Sequence, residues 1–154
     1  MVPAAIEAVA AQLGAIGNPS SLHAPGRAAR RVVEESRELI ASLLGARPSE
    51  VIFTSGGTEA DNLAIKGVYG AAQQQGRNRV VISAIEHHAV LDSARWLAAT
   101  EGAELVEVGV STNGTVDTEA LGAAVDDRTA VVSVMWANNE IGTAQPVSAI
   151  AELA

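Results

Sequence analysis

Hydrophobic positions change period along this chain, and the change marks out its elements. From Pro3 to Leu13 small apolar residues recur at helical spacing and stop near Gly14, a plausible helix end. Gly17-Asn18-Pro19-Ser20-Ser21 is a turn cluster. From about Pro25 to Leu44, the residues Ala29, Val32, Val33, Leu39, Ile40, Leu43 and Leu44 fall on one face of a long helix. Gly45 and then Pro48 give the usual stop order. Val51-Ile52-Phe53-Thr54 reads as a short buried strand, and a helix runs from Ser55-Gly56-Gly57-Thr58 to about Gln75. The alternation then repeats: strand Val80 to Ser83, helix Ala89 to Thr100, strand Glu104 to Val108, helix Thr118 to Val125, strand Ala130 to Met135. Strands alternating with helices predict an α/β protein, a mainly parallel sheet covered by helices. Pro146 opens a last helical pattern with Val147, Ile150 and Leu153 on one face, and it stops uncapped at Ala154. That layout is expected of part of a larger domain.

Composition narrows the packing and the partners. Of 154 residues, 48% are apolar but only 3% aromatic, so alanine-rich helices must lie on valine-rich strands. The net charge of −8 offers no basic footprint for nucleic acid. Arg27, Arg30, Arg31 and Arg37 alternate with Glu34, Glu35 and Glu38, the pattern of a solvated helix face. With no cysteine, disulfides, thiolate metal sites and a cysteine nucleophile are excluded within the chain. No apolar run suits a membrane span and the start lacks a signal-peptide layout, so a cytoplasmic location is expected.

Ligands of open parallel sheets bind at the carboxyl ends of the strands, where three polar clusters fall. Ser55-Gly56-Gly57-Thr58 precedes a helix whose first amides and dipole suit a phosphate; the alternative is a glycine turn with Thr58 as helix cap. Glu86-His87-His88 can supply an imidazole that stacks on a planar ring or moves a proton, or only a hydrogen bond at a helix start. No metal site is expected there. Asn138-Asn139-Glu140-Ile141-Gly142 offers a carboxamide for a ring oxygen, or a turn in which Asn bonds its own backbone. A fourth polar loop, Asn18 to His23, precedes the long helix, and Asp61 and Asn62 follow the glycine loop.

In order and spacing, four stretches resemble the NifS/IscS-type cysteine desulfurases, a branch of the class V aminotransferase-like enzymes that use pyridoxal 5′-phosphate (PLP). They are NPSSLHAPG (18–26), VIFTSGGTEADNLAIKG (51–67), EHHAVLD (86–92) and VMWANNEIG (134–142). Asn113-Gly114-Thr115-Val116-Asp117 resembles a further step of the same family.

The resemblance implies a partial three-layer α/β/α large domain of fold type I, with residues 1–154 as part of the PLP-binding domain. It implies that Gly57 and Thr58 hold the PLP phosphate, that His87 stacks on the ring and can relay protons, and that Asn139 bonds the ring's phenolic oxygen. The loop around His23 would lie toward the substrate, and His88 receives no role. The family's ring-nitrogen Asp, Schiff-base Lys and persulfide Cys all fall beyond Ala154, and an expected opening motif falls before Met1. By itself the chain is therefore expected to be inactive. Lys66, the only lysine, lies too deep in the phosphate helix for the Schiff base and reads as a surface or interface charge.

For the parent protein the implied reaction is L-cysteine to L-alanine, sulfur passing as persulfide to an acceptor for iron–sulfur clusters or thio-cofactors. The implied assembly is a homodimer. Alternatives are a selenocysteine lyase, a SufS-type or kynureninase-like enzyme, or a non-catalytic α/β binding or dimerisation module.

Overall fold

The computed structural model describes residues 1–153, which form two compact units, Met1–Phe53 and Thr54 onward.

The first unit carries two α-helices, α1 (Pro3–Leu13) and α2 (Ala24–Leu44), and a short 3-10 turn at Pro48–Glu50. Proline in the first turn of α2 sacrifices an amide that has no helical partner anyway. The loop before α2 folds back onto its first turn. A Cβ on Gly26 would meet the Asn18 carbonyl at 2.6 Å and the Ser21 Cβ at 2.7 Å, so only glycine admits that approach. At the other end Gly45 takes a left-handed conformation (φ 67°), and the Ala46 amide reaches back to the Ala41 carbonyl. The apolar stripe of α2 is not covered: Leu39, Leu43 and Leu44 are exposed.

Residues 51–54 do not form the expected strand. Ile52 and Phe53 are exposed, and no strand among the described residues pairs with the segment. Strand structure depends on inter-strand hydrogen bonds, which local propensity cannot supply. The segment is instead engaged by α2: Arg37 donates to the Val51 carbonyl and lies over the Phe53 ring, 4.9 Å from its centroid. Arg37 thus leaves the solvated face on which its sequence pattern placed it.

The second unit is a parallel sheet of three strands in the order β2-β1-β3: β1 (Arg79–Ser83), β2 (Glu104–Val108) and β3 (Thr129–Ser133). All five residues of β1 are buried, as a central strand requires. Its side chains alternate between two cores. Val80 and Ile82 pack with Ile65 and Tyr69 of α3 (Gly57–Gln73) and with Val90, Leu91, Ala94 and Leu97 of α4 (His88–Glu101). Val81 packs on the other side with Val108, Val116, Leu121 of α5 (Thr118–Ala124) and Ile150 of α6 (Val147–Ala151). The result is three layers, helices on both faces of a parallel sheet.

At the amino-terminal ends of the strands, Arg79 donates to Glu104 (2.7 Å) and to Asp126 (2.9 Å), and Arg128 donates to the same two carboxylates (3.2 and 2.9 Å). These bonds hold both carboxyls below their ordinary pKa, chiefly through Arg79 for Glu104 and Arg128 for Asp126. Groups with depressed folded-state values contribute stability above the unfolded values, about pH 4, and lose it as pH falls through the folded ones. Denaturant midpoints measured from neutral pH down to about pH 3 are therefore expected to fall more steeply for the native sequence than for Arg79→Met. Equal acid slopes would refute this assignment.

No helix among the described residues is long and apolar enough to cross a membrane.

Candidate functional site

At the carboxyl end of the sheet the three polar clusters take different local forms, each set by how a helix or turn satisfies its backbone. The glycine loop comes first. Thr54 Oγ1 donates to the Gly56 carbonyl at 3.0 Å, and the Glu59 carboxylate folds back to accept the Ser55 amide at 2.6 Å; the Ser55 hydroxyl and then this amide hold its pKa below the usual carboxylate range. Helix α3 opens at Gly57 with Gly56 as its cap. The cap role considered for Thr58 is thus not the one it has. The first intrahelical bond runs from the Ala60 amide to the Gly56 carbonyl, leaving Gly57, Thr58 and Glu59 amides without a partner inside the helix. Residues Ser55 to Ala60 at this positive helix end are exposed.

His87 caps α4. Its Nδ1 accepts the Ala89 amide at 3.1 Å, so that nitrogen carries no proton and the neutral ring keeps its N–H on Nε2. The structural role considered for a helix-start histidine is therefore present, yet the ring remains exposed and able to meet a ligand.

The two asparagines divide their tasks. Asn138 is buried; its Oδ1 accepts the Glu140 and Ile141 amides (2.9 and 3.0 Å), and its Nδ2 donates to the Ile85 carbonyl at 3.1 Å. The turn that Asn138 builds leaves Asn139 exposed. Gln145, absent from the sequence reading, ties this turn to the 110–116 hairpin: it accepts the Val116 amide (2.9 Å) and donates to the Gly114 carbonyl (2.7 Å). Nothing local in the sequence announces Gln145, whose partners lie about thirty residues away.

Thr58 and His87 line one cavity of about 380 Å³, together with Asn62, Lys66, Asp92 and Trp96. Asn139 lines a second cavity of about 310 Å³ with Glu86 and His88, and His88 borders both. Gly57 stands immediately before Thr58 at the first position of α3. Lys66 is half-buried with its ammonium over the Trp96 ring, 4.4 Å from the centroid, so its charge is engaged by an aromatic face rather than left free. His23 belongs to the first unit, where it takes the cap position of α2. A larger cavity of about 490 Å³ opens at the opposite, amino-terminal end of the strands, beside Arg77, Asp126 and Asp127, away from all three clusters.

Glu86 is the most buried charge-bearing group of this end. Its Oε1 accepts from Ser83 Oγ (2.7 Å) and from the Met135 amide (2.6 Å). Burial pushes its carboxyl above the usual range, against the lowering pull of those bonds.

Residues 2–154 match the family model described as aminotransferase class-V. The chain belongs to that family. Among class-V relatives, it is 55% identical over 158 residues to the "IscS-like cysteine desulfurase" of Mycobacterium tuberculosis (strain ATCC 25618 / H37Rv), covering 100% of this chain and 40% of that protein. A solved "NifS-like protein" superposes with a TM-score of 0.90 at 35% identity, over 99% of this chain and 42% of that one. A structure titled "SspA in complex with cysteine" matches with a TM-score of 0.89 at 30% identity, over 100% and 44%. The chain thus spans about two fifths of the length of the relatives it resembles. The neighbours carry the fold-type-I architecture expected from the motifs, in agreement with the parallel sheet and its two helical layers.

Proposed function

We propose that the protein to which this chain belongs is a PLP-dependent cysteine desulfurase, and that residues 1–154 form part of its cofactor-binding large domain. The observation that carries this reading is the shared cavity of Thr58 and His87, a helix amino terminus and an imidazole facing one space of about 380 Å³. The donor set suits the cofactor. The Gly57, Thr58 and Glu59 amides and the Thr58 hydroxyl can hold a phosphate. The exposed His87 ring can stack on a pyridine, and the exposed Asn139 carboxamide can donate to a ring oxygen. PLP, when bound, supplies an electron sink for bond breaking at the substrate's α-carbon.

In this reading the α3 terminus would hold the phosphate, the His87 ring would lie against the pyridine, and its Nε2 could hold or pass a proton at the substrate. Asn139 would donate to a ring oxygen. The names of the relatives support L-cysteine as substrate. Its products would be L-alanine and a sulfur atom handed as persulfide to an acceptor protein for iron–sulfur clusters or thio-cofactors. The exposed leucines of α2 support association as a homodimer. A cytoplasmic site of action completes the reading.

The test is turnover. The full-length protein, purified with PLP and assayed with excess dithiothreitol to reduce the persulfide, is expected to release sulfide and alanine from L-cysteine in equal amounts, and the 154-residue chain with PLP under the same conditions is expected to release neither. Turnover of selenocysteine alone, or of kynurenine, would replace the substrate assignment. Sulfide release by the 154-residue chain would overturn the division of the site.

A further inference from the structure

The carboxyl of Glu86 joins the two loops that carry His87 and Asn139, and it does so from inside the protein. Ser83, at the end of β1, donates its hydroxyl to Oε1 at 2.7 Å, and the same oxygen accepts the Met135 amide at 2.6 Å, just past the end of β3. Ser133 Oγ stands 3.5 Å from Oε2. One residue after Glu86 comes the α4 cap His87; four residues after Met135 comes Asn139. A second link runs parallel, from Asn138 Nδ2 to the Ile85 carbonyl at 3.1 Å. Glu86 is 8% exposed, and among the described residues no arginine, lysine or histidine forms an ion pair with it. A carboxyl without a cation is a poor stabiliser by charge alone, so its value at this position lies in where its oxygens sit.

We infer that Glu86 is a positioning residue, a buried carboxyl that sets the spacing between the His87 cap and the Asn139 turn, which line two cavities that His88 borders in common, and thereby the placement of the two groups proposed to hold the ring. The inference rests on the cofactor reading for its consequence but not for the bridge itself. The carboxyl's shift toward the neutral form agrees with this role, because a neutral acid makes the same contacts. Glutamine has the same reach: its carbonyl oxygen can accept from Ser83 and Met135, and its amide can donate to Ser133. Methionine fills similar space and accepts no strong hydrogen bond.

The experiment compares Glu86→Gln and Glu86→Met in the full-length protein by hydrogen–deuterium exchange without cofactor, then by PLP affinity and absorbance maximum. E86M is expected to raise exchange about tenfold in segments 84–91 and 134–142 while strand 104–108 keeps its protection, whereas E86Q stays within about twofold of the native protein throughout. PLP affinity is expected to fall about tenfold in E86M, with a shifted absorbance maximum, and to return in E86Q. Unchanged exchange at both segments in E86M would overturn the bridge, and so would failure of E86Q to restore it. Uniformly raised exchange would make Glu86 a general stabiliser and overturn the positioning role. Where E86M does not fold, the Met135 amide of the unsubstituted protein decides: slow exchange supports the bridge and fast exchange overturns it. A native protein that fails to bind PLP refutes the proposed function alone, since the exchange comparison still decides the bridge.

Discussion

His87→Asn is expected to lower the cysteine turnover of the full-length protein by about two to four orders of magnitude while leaving its thermal stability nearly unchanged. The two effects separate because His87 holds two tasks at once. Its Nδ1 accepts the Ala89 amide and so caps α4, a job that asparagine performs as well as any residue. Its ring, exposed in the cavity shared with Thr58, is what asparagine cannot replace. His87→Ala removes both and should also lose about 1 kcal/mol of stability through the missing cap. Steady-state kinetics and melting midpoints of the two variants check the pair. Full activity in H87N would show that the ring is not needed, and equal stability of H87A and the native protein would show that the cap is not.

The second large effect is in the core. Leu97→Ala should destabilise the chain by about 2–5 kcal/mol, because Leu97 is 2% exposed and is enclosed by the β1 and α3 side chains that fill the first core. A cavity at that site cannot close without moving Ile82 or Tyr69, both fully buried. Leu39→Ala is the control: Leu39 is 61% exposed, and its loss should change stability by no more than about 0.5 kcal/mol. Urea midpoints at constant slope measure both. A control as costly as Leu97→Ala would mean that the stripe on α2 is covered in solution.

Most elements were legible because their signals are local. Helix α2 was bounded by its turn cluster and Gly45, and the run 80–83 read as a buried strand because β1 is apolar on both faces. The segment 51–54 misled for the same reason in reverse. Its residues suit a strand, but pairing is a property of neighbours, and Arg37 takes it up instead. The strand expected to reach Met135 ends at Ser133, since the Met135 amide turns to the Glu86 carboxylate.

At the candidate site, residue types and spacing marked three polar clusters and the chemistry each can offer, while the family resemblance singled out Gly57, Thr58, His87 and Asn139. Residue types and spacing alone could not divide Asn138 from Asn139, a distinction that the structure makes by burial and by the Ile85 carbonyl 53 residues away. Nor could they find Gln145, or see that Glu86 binds the ends of two strands. Periodicity, capping and glycine placement act within a few residues and can be read along the chain. Hydrogen bonds between distant segments, and the burial that makes a carboxyl a brace rather than a surface charge, exist only once the sheet brings those segments together.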